Sequence, residues 1–569
     1  MKHVFKVCLL LLALILTVGT VIACGDDETT AVTTGASPNT TTGPDTPTVT
    51  TPAETTTLGP SSVEVPVCET HTPSTNGTYC TVCYTVLETN LKDYKDMIYF
   101  NCDNETLTKA YKVAFNDITG NIKLYSAGVL TSRAQCLMAG ADYDTPWTRD
   151  AAINVWNGFA LMNPEVSKNT LLSVLKKSGA QYQIDGQYWD AIIWAIGAYQ
   201  LINVTHDMEF AKIAQNAITN SLKRFEREEY DAKDGLFRGG AVYGDGIAAY
   251  PDHYAVDAPN PGLGGWLENP ANKDKIIPVG EGIPMKALST NCCYYQAYVI
   301  EAQLNAMLGK DTTEPLKKAE AMKKAINKAF WNEENGSYDY LAYECDYQEA
   351  IGLGFVLLFG IADERQTALV LQNTQVTEQG IAIVWPCFDR YLNLGGYGRH
   401  AGVIWPHGQG FWARACSQNG YRYGYEYEMF LMAEKAVRDN QFYEIYHPDT
   451  GEIYGGYQEQ GPGYIGLTGS CRHQTWSATG YLSLIYYEML GADIGEKSVT
   501  FKPYLPEGVN EVTVSGFKVG SATFEIVITR GGDGATAATF DTTEEGTVRV
   551  HLSIQWLGDH KIKSNSLNF

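Results

Sequence analysis

The sequence predicts a mainly helical fold: an (α/α)6 barrel of six helical hairpins with a small C-terminal antiparallel β domain. Three observations lead there. Helical periodicity recurs from about residue 104 to residue 490. The segments between the helical stretches are long and rich in Gly, Pro, Asp and aromatics. After residue 497 the pattern changes to short alternating stretches separated by Gly-rich turns.

Candidate helices fall near 104–120, 149–162, 167–178, 189–202, 207–227, 288–309, 314–331, 346–360, 363–373, 409–418, 423–438 and 474–490. Twelve helices with long loops suit six hairpins closed on themselves, spanning about residues 95–496. Such a barrel gathers its site at one end, where alternate loops converge. The longest loops, 228–287, 374–408 and 439–473, keep many aromatics, as functional loops do. Residues 497–569 read as a sandwich-like β domain. Its strands are expected at Ser498–Pro503, Val512–Val514, Ala522–Thr529 and Thr547–Ile554, with Gly531-Gly532-Asp533-Gly534 as a turn.

Ahead of this body, residues 1–23 read as a lipoprotein signal peptide. Lys2 and Lys6 give a basic start, Val7–Val18 is an almost continuous apolar run, and Val21-Ile22-Ala23 leads into Cys24. The last four residues resemble a bacterial lipobox, with Cys24 the lipidated residue; a plain secretory signal is the alternative. Residues 24–62 are Thr/Pro-rich with almost no large apolars, a composition that favours a disordered stalk. No later apolar run approaches the roughly 20 residues of a membrane span. The expected protein is exported and held at a bacterial cell surface, touching the membrane only through its anchor.

The net charge of −23 argues against nucleic acid as a partner. Tyr is abundant at 36 and Trp numbers 11, which suits neutral, polar, ring-shaped ligands, although most of these residues are core. With Cys8 and Cys24 set aside, an odd number of the 13 Cys remains, so no even disulfide framework emerges. Within 63–94, Cys68-x2-His71 followed by Cys80-x2-Cys83 has zinc-ligand spacing. One disulfide plus spare thiols is the competing reading, and the shortness of the segment favours it slightly. No cofactor is required for the chemistry expected below; a structural metal ion at these four residues is the one possibility raised.

Asp144-Thr145-Pro146-Trp147-Thr148-Arg149-Asp150 joins an aromatic, a fork-shaped cation and a carboxylate at the entry to a helix. A sugar presents an apolar face to an aromatic and vicinal hydroxyls to a charged group. An N-cap beside an ordinary surface Arg is the alternative. Asp190 lies between Trp189 and Trp194, a setting that raises a carboxyl pKa as a general acid requires, or else it is an N-cap. Glu459 sits in the Gly/Pro-dense stretch Gly455–Gly463, either as a reactive carboxylate or as an exposed loop residue.

Trp147-Thr148-Arg149-Asp150, Trp189–Trp194, Val403-Ile404-Trp405-Pro406-His407-Gly408 and Ser470–Ser477 occur in this order. Together they resemble the six-hairpin glycosidases. In particular they resemble the amylo-α-1,6-glucosidase half of glycogen debranching enzymes and the processing α-glucosidases of glycoside hydrolase family 63. The resemblance implies an inverting glycosidase, with Asp190 as general acid and Glu459 as general base. It also implies that Arg149 and Asp150 hold hydroxyls of the bound sugar, with Trp147, Trp189, Trp405, His407, Gln474 and Trp476 around it. The loop Gly239–Asp252 departs from the debranching pattern; Asp245 and Asp252 there, and Glu281 further on, are substrate binders, rival acids or turn residues.

The function expected is hydrolysis of α-glycosidic, most readily α-glucosidic, bonds of oligosaccharides by a monomer. A non-catalytic surface glycan-binding protein on the same barrel is the alternative from a different class. An α-mannosidase or α-L-rhamnosidase is the alternative within the enzyme class.

Overall fold

The computed structural model describes residues 66–73, 80–83, 85, 87, 98–532 and 534–554. The expected signal 1–23, its Cys24, the stalk 24–62 and most of 63–94 lie outside the described residues.

Helices of two kinds alternate along the chain. The largely buried kind comprises Thr148–Asn154, continued through Val155–Phe159 to Ala160–Met162, then Trp194–Thr205, Leu288–Met307, Ala350–Leu358, Pro406–Gln418, and Thr475–Ser483 continued through Leu484–Met489. The one-sided kind comprises Glu105–Gly120, Pro164–Ser173, Met208–Glu228, Thr313–Phe330, Glu364–Asn373 and Arg422–Asp439. Hydrophobic periodicity explains the second kind, whose polar face stays in water. The first kind is buried nearly all round, polar side chains such as Arg149, Asn291 and Gln409 included, and has to be enclosed. Each largely buried helix packs on the next, and Thr475–Ser483 returns to Thr148–Asn154. Small residues permit this closeness. A Cβ on Gly197 would lie 2.6 Å from the Ala152 carbonyl oxygen, and one on Gly410 would lie 3.2 Å from the Gly480 Cα.

Local chemistry sets the helix ends. Asn163 caps the helix that begins at Pro164, and its side chain accepts from the Val166 N–H. That helix therefore starts before residue 167 and stops at Ser173. Residues 175–178, expected as its last turn, instead form a strand paired with Gln181–Ile184. The expected helix 189–202 is two pieces, Tyr188–Ala191 and Trp194–Thr205. Among the described residues no helix is long and apolar enough to cross a membrane.

The C-terminal region is built of strands, as expected, but it is not purely antiparallel. One sheet has the order Tyr99–Cys102, Glu511–Val519, Ala522–Arg530, Gly546–Ile554, and its last pair runs parallel. A second, antiparallel sheet joins Ala492–Ile494, Ser498–Phe501 and Ala538–Asp541. Phe501, Phe517, Phe524 and Phe540 pack against one another. Side-chain alternation reveals which face of a strand is buried and leaves its direction open. Here the chain leaves Arg530 and visits the second sheet at Ala538–Asp541. It then re-enters the first sheet in the same sense. The edge strand Tyr99–Cys102 comes from far upstream, within the span read as helical body.

Candidate active site

The N-terminal ends of several largely buried helices supply the walls of one cavity of about 280 Å³. Arg149 and Asp150 stand in the first turn of Thr148–Asn154, Trp405 precedes Pro406–Gln418, and Trp476 opens Thr475–Ser483. Loops complete the wall with Tyr143, Gln187, Tyr243, Asp245, Arg399, His400 and Glu444, and the strand Tyr457–Gly461 adds Gln458.

One guanidinium organises one side. Arg149 donates through Nη1 to Asp190 Oδ2 (2.8 Å) and Gln187 Oε1 (3.2 Å), and through Nη2 to Asp245 Oδ2 (2.7 Å). Its Nε is 3.6 Å from Asp150 Oδ2. Three carboxyls thus share one cation. Burial, opposed by Arg149, pushes both Asp150 and Asp190 up to about 7. Burial also presses on Asp245, but the Arg149 guanidinium, with Arg399 behind it, outweighs it and holds this carboxyl below its ordinary value. Burial pushes the His400 imidazole down to about 3, so it faces Asp245 neutral, with Nε2 3.7 Å from Oδ1.

A second charged pair forms another part of the wall. Glu444 Oε2 accepts from Arg399 Nη2 at 2.5 Å, and its Oε1 accepts from the Tyr143 hydroxyl at 3.0 Å. Arg399 is fixed in turn by the Gly469 carbonyl at 2.7 Å. The Asp245 side chain is 38% accessible, whereas that of Glu444 is 3% accessible, so Asp245 is the more open of the two. Trp405 stacks on His400 with ring centroids 5.0 Å apart, and its Nε1 donates to the Arg399 carbonyl at 2.9 Å. Trp147 is exposed on the cavity wall, 5.9 Å from the Arg149 guanidinium carbon.

Of the residues singled out from the sequence, Trp147, Arg149, Asp150, Asp245, Trp405 and Trp476 line this cavity. The others do not. Asp190 is buried behind Arg149. Trp189 is buried edge-on against Tyr188. His407 is buried and stacked on Trp476, 4.1 Å between centroids. Gln474, turned so that both amide atoms are satisfied, donates to the Ala139 carbonyl and accepts from Trp476 Nε1, so it braces the tryptophan. Cys68, His71, Cys80 and Cys83 do not line the cavity either.

Glu459 is the clearest departure from the expected arrangement. It is buried on the strand Tyr457–Gly461, where it accepts from Arg390 Nε (2.9 Å) and the Tyr391 hydroxyl. Successive strand residues face opposite ways, so Gln458 lines the cavity and its neighbour Glu459 does not.

A family model for the mannosylglycerate hydrolase MGH1-like glycoside hydrolase domain matches residues 143–477, a span that begins at the cavity residue Tyr143 and contains every other one. The chain belongs to the MGH1-like glycoside hydrolase family. Among solved structures it resembles a sialidase, with a TM-score of 0.56, 13% identity, and coverage of 74% of this chain and 37% of that one. It also matches the family GH78 rhamnosidase of Bacillus sp. GL1, with a TM-score of 0.48, 12% identity, and coverage of 81% and 44%. A further match is the GH63 mannosylglycerate hydrolase of Thermus thermophilus in complex with glucose, with a TM-score of 0.48, 15% identity, and coverage of 65% and 98%. The chain therefore spans less than half the length of the sialidase and of the rhamnosidase. A search of curated proteins gave no significant match.

In a glycosidase of this family the arrangement meets the general needs of glycoside hydrolysis. It places carboxyls on the wall of one cavity, with cations that orient them and aromatic surfaces beside them. Glu444, Arg399, His400, Tyr143 and Gln187 were not singled out from the sequence. Glu444 does lie in the aromatic run Phe442-Tyr443-Glu444-Ile445-Tyr446, and Arg399-His400 follows the Gly-rich stretch Gly395–Gly398, both inside long aromatic loops.

Proposed function

We propose that this MGH1-like glycosidase is an inverting α-glycosidase that removes single sugar units from short glycans, with Asp245 as general acid and Glu444 as general base. The observation that carries the reading is the placement of both carboxyls on the wall of one small cavity, each held by its own arginine. The cyclic packing of the largely buried helices supports an (α/α)6 barrel with this cavity at the end where their N-termini lie. A cavity near the lower limit of small-molecule sites, roughly 300 Å³, suits one sugar ring with its aglycone extending outward.

The difference in exposure divides the roles. A leaving-group oxygen sits towards solvent, where the more open Asp245 reaches it. Glu444 accepts from two donors and stays poised to take a proton from water. In an inverting enzyme the two carboxyls stand roughly 6.5–9.5 Å apart to admit that water. The proton comes from the Arg149 cluster as a whole. Asp150 and Asp190, buried against the cation that Asp245 also shares, retain a proton to about pH 7, and its titration belongs to the cluster, not to one residue.

The favoured sugar is α-glucosyl, and the exported, lipid-anchored monomer expected from the N-terminus is the form proposed. The description of the matched family gives a second reading, an α-mannoside such as mannosylglycerate. One experiment tests the whole: hydrolysis of α-glucosides, α-mannosides and α-rhamnosides, with the released anomer followed by NMR. Release of the β-anomer from an α-glucoside supports the reading, and retained configuration overturns the mechanism. Binding without turnover across the panel would leave a glycan-binding protein. With the cluster's proton required for the acid, kcat/KM should fall as pH rises through about 7, roughly tenfold per unit above it. A rate that keeps rising past pH 8 contradicts the cluster as proton source.

A further inference from the structure

We propose that Cys68, His71, Cys80 and Cys83 form a structural zinc site, a closed Cys3His centre on two short paired segments that precede the glycosidase body in the sequence. The four potential ligand atoms all lie within 4.8 Å of one another. Cys83 Sγ is 3.5 Å from His71 Nδ1, and Cys80 Sγ is 4.0 Å from Cys68 Sγ. Zinc–sulfur bonds near 2.3 Å and zinc–nitrogen bonds near 2.0 Å give a tetrahedron whose edges are about 3.5–3.8 Å. The cluster therefore closes on an ion with small shifts of side chains.

The backbone is arranged to hold this geometry. Pro73 and Cys80 bridge antiparallel, the Thr81 N–H donates to the Thr72 carbonyl at 2.9 Å, and the Cys80 N–H donates to the Thr85 carbonyl at 2.8 Å. These bonds bring the Cys68-x2-His71 pair against the Cys80-x2-Cys83 pair. The Val82 N–H donates to Cys80 Sγ at 3.4 Å, a contact that stabilises a thiolate there.

A disulfide would use two of the three sulfurs and leave a thiol and an imidazole gathered around it for no purpose. The S–S bond is about 2.05 Å, far shorter than the 4.0 Å between Cys68 and Cys80. Three thiolates and one imidazole select zinc among the common divalent cations. Four protein ligands leave no position for water, so the ion would stabilise the fold of this segment and take no part in hydrolysis.

The test uses the full chain purified under reducing conditions. Elemental analysis should find one zinc per chain that survives dialysis, and Cys83→Ser and His71→Ala should each lose it. Replacement by Co2+ should give a thiolate-to-metal charge-transfer band together with tetrahedral d–d bands. This spectrum reads the wild-type chain directly, so the proposal stands or falls even if a variant fails to fold. Zinc equally retained in Cys68→Ser/Cys80→Ser would overturn the site. So would a Cys68 disulfide to Cys80 or Cys83 in a chain that, once reduced, takes up no zinc.

Discussion

Glu444→Gln should cut turnover by roughly 10³-fold, within the 10²–10⁴ that a positioned acid or base supplies. The fold should survive at some cost in stability, because Gln keeps one acceptor oxygen for Arg399 and its amide N–H can donate to the Tyr143 hydroxyl oxygen. Asp245→Asn should lose as much on a natural glycoside. It should lose far less on an aryl glycoside whose leaving group departs without a proton, and Glu444→Gln should show no such sparing. Glu459→Gln is the control. It weakens the contacts to Arg390 and Tyr391, so it should lower stability by about 1–3 kcal/mol. Its turnover should stay within about tenfold of wild type. Steady-state kinetics on both substrate types, with circular dichroism, checks all three. A Glu459 variant that is folded and inactive beside an active Glu444 variant would return the base to Glu459.

The second large effect concerns Arg149. Its guanidinium is buried among Asp150, Asp190 and Asp245, and removing it leaves carboxyls without their cation. Breaking a buried ion pair from one side costs about 3–5 kcal/mol, so Arg149→Ala should lower denaturation stability by that order and abolish activity. Arg149→Lys should rescue little, because a single ammonium cannot span the same three carboxyls. The double variant Arg149→Ala/Asp190→Asn should be more stable than the sum of its parts, since it also removes one stranded charge. Urea unfolding of the four proteins measures this. Full additivity would mean the carboxyls do not depend on a common cation.

Much of the body was legible in the sequence because helical periodicity is local. The expected helices 207–227, 314–331 and 423–438 lie close to Met208–Glu228, Thr313–Phe330 and Arg422–Asp439. Each has an apolar face with a period that the sequence carries on its own. Strand direction was not legible, because it depends on where the chain travels between strands. In the site, Arg149, Asp150 and Asp245 emerged from local context. Glu444 and Arg399 did not, since they meet only when two separate long loops fold against each other. The choice of Glu459 over its neighbourhood failed to reach the cavity for a simpler reason. A strand exposes alternate residues, and nothing in Gly455–Gly463 fixes which alternate faces inward.

The edge strand Tyr99–Cys102 has a consequence for how the chain matures. Its partner Glu511–Val519 is separated from it by the whole helical body. During synthesis the early strand must wait, unpaired, until the helical body and its partner strand Glu511–Val519 have emerged. Contacts so distant in sequence form slowly and late. The first described stretch of the body is therefore sealed by almost the last. A nascent chain halted before residue 511 would carry its helices and still present an open strand edge, ready to recruit another copy.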